Sequence, residues 1–185
     1  MNVIAIVGMC GAGKSVASDY LESIGYKKIY FGGVTMEKLK ENNLEVTVEN
    51  EKMMREKLRN ELGMAAYAKI LLPRIKEYSK NYNTVLDGLY SWDELKFLKD
   101  EIDNLKVISI VVDKDIRYER LSKRDIRPLT NIEAESRDLS EIENIKKGGP
   151  ISFADYYILN NGTIEEYKIR LDEILNLIRG DNNES

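Results

Sequence analysis

The sequence predicts a single α/β domain built on a doubly wound parallel sheet of five strands with helices on both faces. Three observations point to it. Five short apolar runs alternate with long helical stretches; the first run leads straight into the glycine-rich segment Gly8-Met9-Cys10-Gly11-Ala12-Gly13-Lys14-Ser15; and a chain of 185 residues suits one domain spanning 1–185.

Val3–Val7 is a continuous apolar run closed by Gly8, the pattern of a strand covered on both faces. No basic region precedes it, so it reads as a buried strand rather than a leader, and no stretch of the chain reaches the roughly 18 apolar residues of a membrane span. Lys28–Phe31, Thr84–Leu86, Val107–Val112 and Tyr156–Leu159 read as the other four strands, each short and rich in β-branched or aromatic residues. Between the second and third runs, residues 34–82 are too long for one crossover and read as a helical insertion of two or three helices. Thr47 is its N-cap candidate, Gly63 a break and Pro73 a position for a kink. Residues 114–147 are densely charged, with Arg117, Arg120, Arg124, Arg127 and Arg137 around an Arg-Pro-Leu-Thr-Asn segment, and residues 125–137 read as a short lid. A last helix is expected from an N-cap at Thr163 to Arg179, followed by a frayed tail, Gly-Asp-Asn-Asn-Glu-Ser.

Apolar residues make up 43% and charged residues 32% of the chain, the balance of a folded globular protein rather than a disordered one. With a net charge of −4 and no long Lys/Arg block, an extended nucleic-acid partner is disfavoured, while a nucleotide-sized anion pocket is not. Histidine is absent and Cys10 is the single cysteine, which excludes an intramolecular disulfide and a zinc-ligated lid and fits a reducing cytoplasm. A monomer or homodimer is expected.

The glycine-rich segment fits G-x-x-x-x-G-K-S at every defined position, and the preceding strand and following helix disfavour a coincidental turn. Gly8, Gly11, Ala12 and Gly13 let successive N–H groups and the helix N-terminus face phosphate oxygens. Lys14 supplies a mobile charge, Ser15 a hydroxyl for Mg²⁺ bridging the β- and γ-phosphates of ATP, and Val16 continues the loop into the helix. Cys10 reads as a small neutral filler. Asp87 places a carboxylate at the carboxyl end of a parallel strand, where it can serve Mg²⁺ or orient an acceptor; the competing reading is a turn former before Gly88. Arg120 and Arg124, four apart on an expected helix, share a face that suits phosphate or adenine, unless they are solvated charges beside Glu119.

With this loop, the segments RNELGMAAYAK at 59–69, VLDG at 85–88, VDKDIRYERLSKR at 112–124, SRDLSEIE at 136–143 and ADYYILNNGT at 154–163 make the chain similar to the adenylate-kinase-like group of P-loop nucleotide kinases. It resembles most an uncharacterised archaeal family of that group, and more distantly dephospho-coenzyme A kinase. The resemblance spans nearly the whole chain. It implies that Arg120 and Arg124 flank the donor nucleotide, that Arg137 closes from the lid onto the transferring phosphoryl group, and that residues 160–163, with Asn161 and Gly162, line the adenine. Lys14, Asp87, Arg124 and Arg137 are then the catalytic set.

The acceptor side departs from the pattern. Relatives follow the second strand with Gly-Asp and a nearby Arg, whereas here Phe31-Gly32-Gly33-Val34-Thr35-Met36 puts Gly33 at the Asp position, and Leu89, Tyr90 and Ser91 stand where an Arg is usual. Arg55 and Arg59, one helical turn apart in the insertion, are the substitutes for an acceptor phosphate: Arg59 at a family position, Arg55 by spacing alone. Paired surface arginines are the competing reading. Tyr90 is placed to stack on a base or to fill core. The expected activity is ATP- and Mg²⁺-dependent phosphoryl transfer to a small-molecule acceptor, a nucleotide or nucleoside. Two alternatives stay open: dephospho-coenzyme A as acceptor, and a nucleotide-binding regulator that hydrolyses ATP slowly.

Overall fold

A computed structural model describes residues 1–181, and the chain's last four residues, within the expected tail, lie outside the described residues. The strands are β1 (Val3–Val7), β2 (Lys27–Tyr30), β3 (Thr84–Asp87), β4 (Leu105–Val111) and β5 (Tyr156–Leu159). All pair in parallel, as the alternation of apolar runs and helices predicts, and they lie in the order β2-β3-β1-β4-β5. Three strands are shifted from their expected spans. Tyr30 pairs with Asp87, which closes β2 one residue early and carries β3 one residue further, and Leu105 pairs with Val3, so β4 starts two residues sooner than its β-branched run.

The helices are α1 (Lys14–Ser23), α2 (Gly33–Glu41), α3 (Val48–Leu62), α4 (Ala66–Tyr78), α5 (Trp92–Glu101), α6 (Lys114–Ser122), α7 (Asn131–Ile145), α8 (Gly148–Ser152) and α9 (Ile164–Asp181). Side chains alternate across the strands, so Val3, Ala5 and Val7 join one core with residues of α2 to α5, while Ile4 and Ile6 join another with α1 and α9. Three layers result. A satellite cluster of Cys10, Tyr118, Leu121 and Ala134 packs α6 and α7 against the loop after β1.

The insertion holds three helices. Thr47 caps α3 by accepting from the Asn50 N–H at 3.1 Å, and Gly63 ends α3 with φ 82°, as the sequence suggests. Pro73 lies inside α4. The segment expected as a lid is the loop between α6 and α7 together with the first turns of α7, whose start is fixed by a reciprocal cap between Thr130 and Glu133. Thr163 and Glu166 make the same reciprocal contact at the start of α9. Because β1 has β3 on one side and β4 on the other, the strand order reverses at β1, which opens a crevice at the carboxyl end of the sheet. No helix among the described residues is long and apolar enough to cross a membrane.

Candidate active site

Residues 8–15 leave β1 at that crevice. Gly8 has φ +148°, and a β-carbon there would stand 2.5 Å from the Ile110 carbonyl oxygen of β4. Gly13, with φ +94°, would bring a β-carbon within 2.7 Å of Asn160 Nδ2, the same nitrogen that donates to the Ala12 carbonyl at 3.0 Å. Only glycine fits both places. Arg117 supports the loop from behind: buried, it donates to the Cys10 carbonyl at 3.0 Å and to the Asp138 carboxylate at 2.6 Å and 3.1 Å. The loop's curvature is therefore fixed by main chain and by α6 and α7, before any ligand arrives.

In front of the loop lies a cavity of about 600 Å³ lined by Gly11, Gly13, Lys14, Ser15, Val16, Arg120, Arg124, Asp125 and Ile126, within the size range of small-ligand sites. A shallower hollow of about 440 Å³ on the outer side of α7, between Ile132, Ser136, Leu139 and Glu143, has no cationic group in its lining. Arg120 and Arg124 share the first cavity, though not as partners on one helix, because α6 ends at Ser122 and Arg124 lies in the turn beyond it, with Nη1 3.8 Å from Cys10 Sγ. Asn160 is buried against the loop; Asn161 and Gly162 are outside the cavity lining, Asn161 accepting from the Asp113 N–H at 3.0 Å and Gly162 exposed beside Glu166.

Lys14 folds back onto its own loop, donating to the Met9 carbonyl at 3.0 Å. Burial and then the neighbouring charge of Lys147 pull its ammonium down to about 8. Asp87, 6% exposed, accepts from the Ser18 hydroxyl at 2.9 Å and lies 3.7 Å from the Lys28 ammonium. The same Ser18 hydroxyl reaches the Ser15 carbonyl at 3.0 Å, so Asp87 is fastened to the first turn of α1. Arg137 projects from α7, half-exposed, and donates to Glu141 at 3.1 Å.

Beyond the loop, α2, α3 and α4 bring a second group of polar side chains together. Arg59 of α3 lies over the Tyr67 ring of α4 at 5.9 Å, and its Nε is buried without a hydrogen-bond partner. The Tyr67 hydroxyl pairs with Thr35 of α2 at 2.6 Å. Arg55 is held less tightly, 3.4 Å from Glu51, which also meets Arg127 of the α6–α7 loop at 3.4 Å. Tyr90, half-buried, has its hydroxyl pushed far above its ordinary value, burial being the largest cause. Gly33 opens α2 with no side chain, and Met36 points outward at 38% exposure.

Three groups here were not singled out from the sequence. Glu94, fully buried, accepts from the Tyr90 and Ser91 N–H groups through Oε2 while Oε1 has no partner, and burial raises its carboxyl to about 7 against the pull of those two donors. Its signal was the Ser-x-x-Glu cap at 91–94. Lys147 and Glu141 pair at 2.5 Å; Glu141 lies unmarked within the 136–143 segment, and the trace of Lys147 was a Lys-Lys-Gly-Gly-Pro segment that resembles any charged loop.

The AAA domain family model matches residues 4–138. The UPF0200 protein TK1334 of Thermococcus kodakarensis is 30% identical over 181 residues, covering 95% of this chain and 97% of its own. A UPF0200 protein of Sulfurisphaera tokodaii is 33% identical over 182 residues, covering 96% and 98%. Among solved structures, a shikimate kinase from Bacteroides thetaiotaomicron superposes with a TM-score of 0.61 at 18% identity, covering 95% of this chain and 98% of that one. The dephospho-CoA kinase from Campylobacter jejuni does so with a TM-score of 0.56 at 20% identity, covering 96% and 97%. These two likenesses establish a shared fold.

Proposed function

The chain belongs to the UPF0200 family and carries an AAA domain, and we propose that it is an ATP-dependent kinase of a small phosphate-bearing or nucleoside-like acceptor. The observation that carries this reading is the cavity at the phosphate loop lined by Lys14, Arg120 and Arg124, together with a further arginine, Arg59, held over Tyr67 on the helical insertion. A regulator that only bound or hydrolysed ATP would need the first alone.

In this reading the loop amides of residues 8–15 and Lys14 hold the donor phosphates, Arg120 and Arg124 flank the donor, and Asn161 and Gly162 border its base. Arg137 approaches the transferring group from α7. Ser15, exposed at the first turn of α1, fits a Mg²⁺ ligand. Asp87 fits an outer position, since it is buried and one of its oxygens is already engaged by Ser18. Bound Mg²⁺ would supply charge neutralisation at the β- and γ-phosphates. Arg55, Arg59 and Tyr90 would recognise the acceptor, with residues 34–82 as its binding insertion and 125–137 as the lid. The lone Cys10 suits a reducing compartment, for which we propose the cytoplasm.

Positioning and charge neutralisation are the work such a site can do, because the loose transition state of phosphoryl transfer needs little covalent help. A thermal-shift screen tests the reading: ATP with Mg²⁺ raises Tm in the wild type and not in Lys14→Ala, and one acceptor among nucleoside monophosphates, nucleosides and dephospho-coenzyme A adds a further shift. No response to ATP in the wild type would overturn it.

A further inference from the structure

Lys147 is 2% exposed, one of the largest fully buried side chains of the protein, although lysine is among the residue types least often buried. Its place is set by the end of α7. Lys146 takes a left-handed conformation, φ 54°, and turns the chain so that the Lys147 N–H returns to the Glu141 carbonyl at 3.1 Å. The ammonium then meets the Glu141 carboxylate at 2.5 Å and lies 5.2 Å over the Tyr90 ring. Glu141 also accepts from Arg137, so one carboxylate serves two cations. A buried net positive charge is costly unless something answers it.

Both neighbours of Lys147 lead to the transfer site. The Tyr90 hydroxyl lies 2.9 Å from where a β-carbon on Gly88 would stand, and Gly88 follows Asp87, which is bound through Ser18 to the turn that carries Ser15. On the other side, α7 is tied to the phosphate loop by Arg117, which joins Asp138 to the Cys10 carbonyl. Lys147 therefore stands between the strand end that carries Asp87 and the helix tied to the phosphate loop.

We propose that Lys147 is a second cation of the transfer site, held by Glu141 and Tyr90 to neutralise the phosphoryl group as it passes from donor to acceptor. The inference rests on the kinase reading and assigns a role that the loop motif does not contain. In the step it serves, an acceptor oxygen forms a bond to the γ-phosphorus while the bond to the β,γ-bridging oxygen breaks. The electron pair stays on ADP, the acceptor's proton goes to solvent, and Lys147 remains an ammonium throughout. Glu141 is a positioning residue, since it acts through Lys147 and Arg137.

The test is Lys147→Met, close in shape and neutral. Its affinity for ATP with Mg²⁺ stays within about threefold, and its turnover falls about a hundredfold, the scale of one lost donor at a charged transition state. Should Lys147→Met fail to fold, Glu141→Gln keeps the ammonium and loosens its hold: turnover falls about tenfold while the KM for ATP stays unchanged. Unchanged turnover in the variant that folds overturns the inference and leaves the kinase reading standing. A wild type that transfers phosphate to no acceptor removes the kinase reading and the inference with it.

Discussion

The phosphate loop at residues 8–15 and the helical pair α3 and α4 both present basic groups to the carboxyl end of the sheet, yet they are built differently. The loop is main chain wrapped by main chain: Gly8 lies against the Ile110 carbonyl, Arg117 and Asn160 bind loop carbonyls, and a helix N-terminus faces the cavity. The α3–α4 cleft is side chain on side chain, with Arg59 on Tyr67, Tyr67 on Thr35 and Arg55 on Glu51. A main-chain site specifies an anion and little else, whereas a side-chain site can be rebuilt for a new ligand by a few substitutions. In the proposed reading the donor phosphates belong to the first, and the identity of the acceptor to the second.

The largest effect should follow from the donor side. Lys14→Ala is expected to lower phosphoryl transfer at least about a thousandfold, because it removes a charge aimed at the phosphates rather than a packing group. The folded protein should survive it. Lys14 titrates in the fold at about 8, below its ordinary 10.5, so the native state binds fewer protons between those values and the wild type gains stability as pH rises from about 8 to 10.5. The variant lacks that gain, and melting curves across this range check it. Arg137→Ala should lower turnover about a hundredfold with little change in ATP affinity, read by steady-state kinetics at saturating acceptor.

On the acceptor side, Arg59→Ala is expected to raise the acceptor KM by about ten- to a hundredfold and leave the ATP KM alone, since one charged hydrogen bond contributes about 1.5–3 kcal/mol. Arg55→Ala should do less, because Glu51 already holds part of its charge. AMP should bind weakly, by roughly two to four orders of magnitude if Gly33, Met36 and Tyr90 have cost two charged contacts and the arginines do not compensate. Calorimetric titration of AMP with an inert ATP analogue present measures this. Micromolar affinity lost in Arg59→Ala would replace the weakened-site idea with a compensating helix, and micromolar affinity indifferent to both arginines would move the acceptor pocket elsewhere.

The smallest effect concerns stability. Glu94 has its carboxyl raised to about 7 from 4.5, so the native state binds more protons than the unfolded chain between these values, and its contribution is lost as pH rises through them. Glu94→Gln removes that loss. Relative to the wild type it should melt higher at pH 7.5 than at pH 5, by on the order of 5 °C.

The same contrast explains what could be read from sequence. The five strands and their parallel pairing follow from local signals, apolar runs ended by glycine and long crossovers, and three needed only a shift at their ends where ladder pairing outweighed propensity. Gly8, Gly13 and Lys14 are legible because their spacing is itself the geometry of the loop. Lys147 was not, because its role depends on a left-handed turn at Lys146 and on a ring 57 positions earlier, Tyr90, that no local pattern links to it. Arg124 was assigned a helical face it does not have, since α6 stops two residues before it, and it still reaches the cavity from the turn.

The central claim is that a phosphoryl group leaves ATP for a second molecule in the α3–α4 cleft. Incubation with ATP labelled at the γ-phosphate and Mg²⁺, with nucleoside monophosphates, nucleosides and dephospho-coenzyme A offered one at a time, tests it most directly. The label should appear on one organic acceptor, at a rate that falls in Lys14→Ala and that depends on acceptor concentration through Arg59. Label recovered only as inorganic phosphate, at a rate no acceptor changes, would contradict the account and point to a nucleotide-binding regulator.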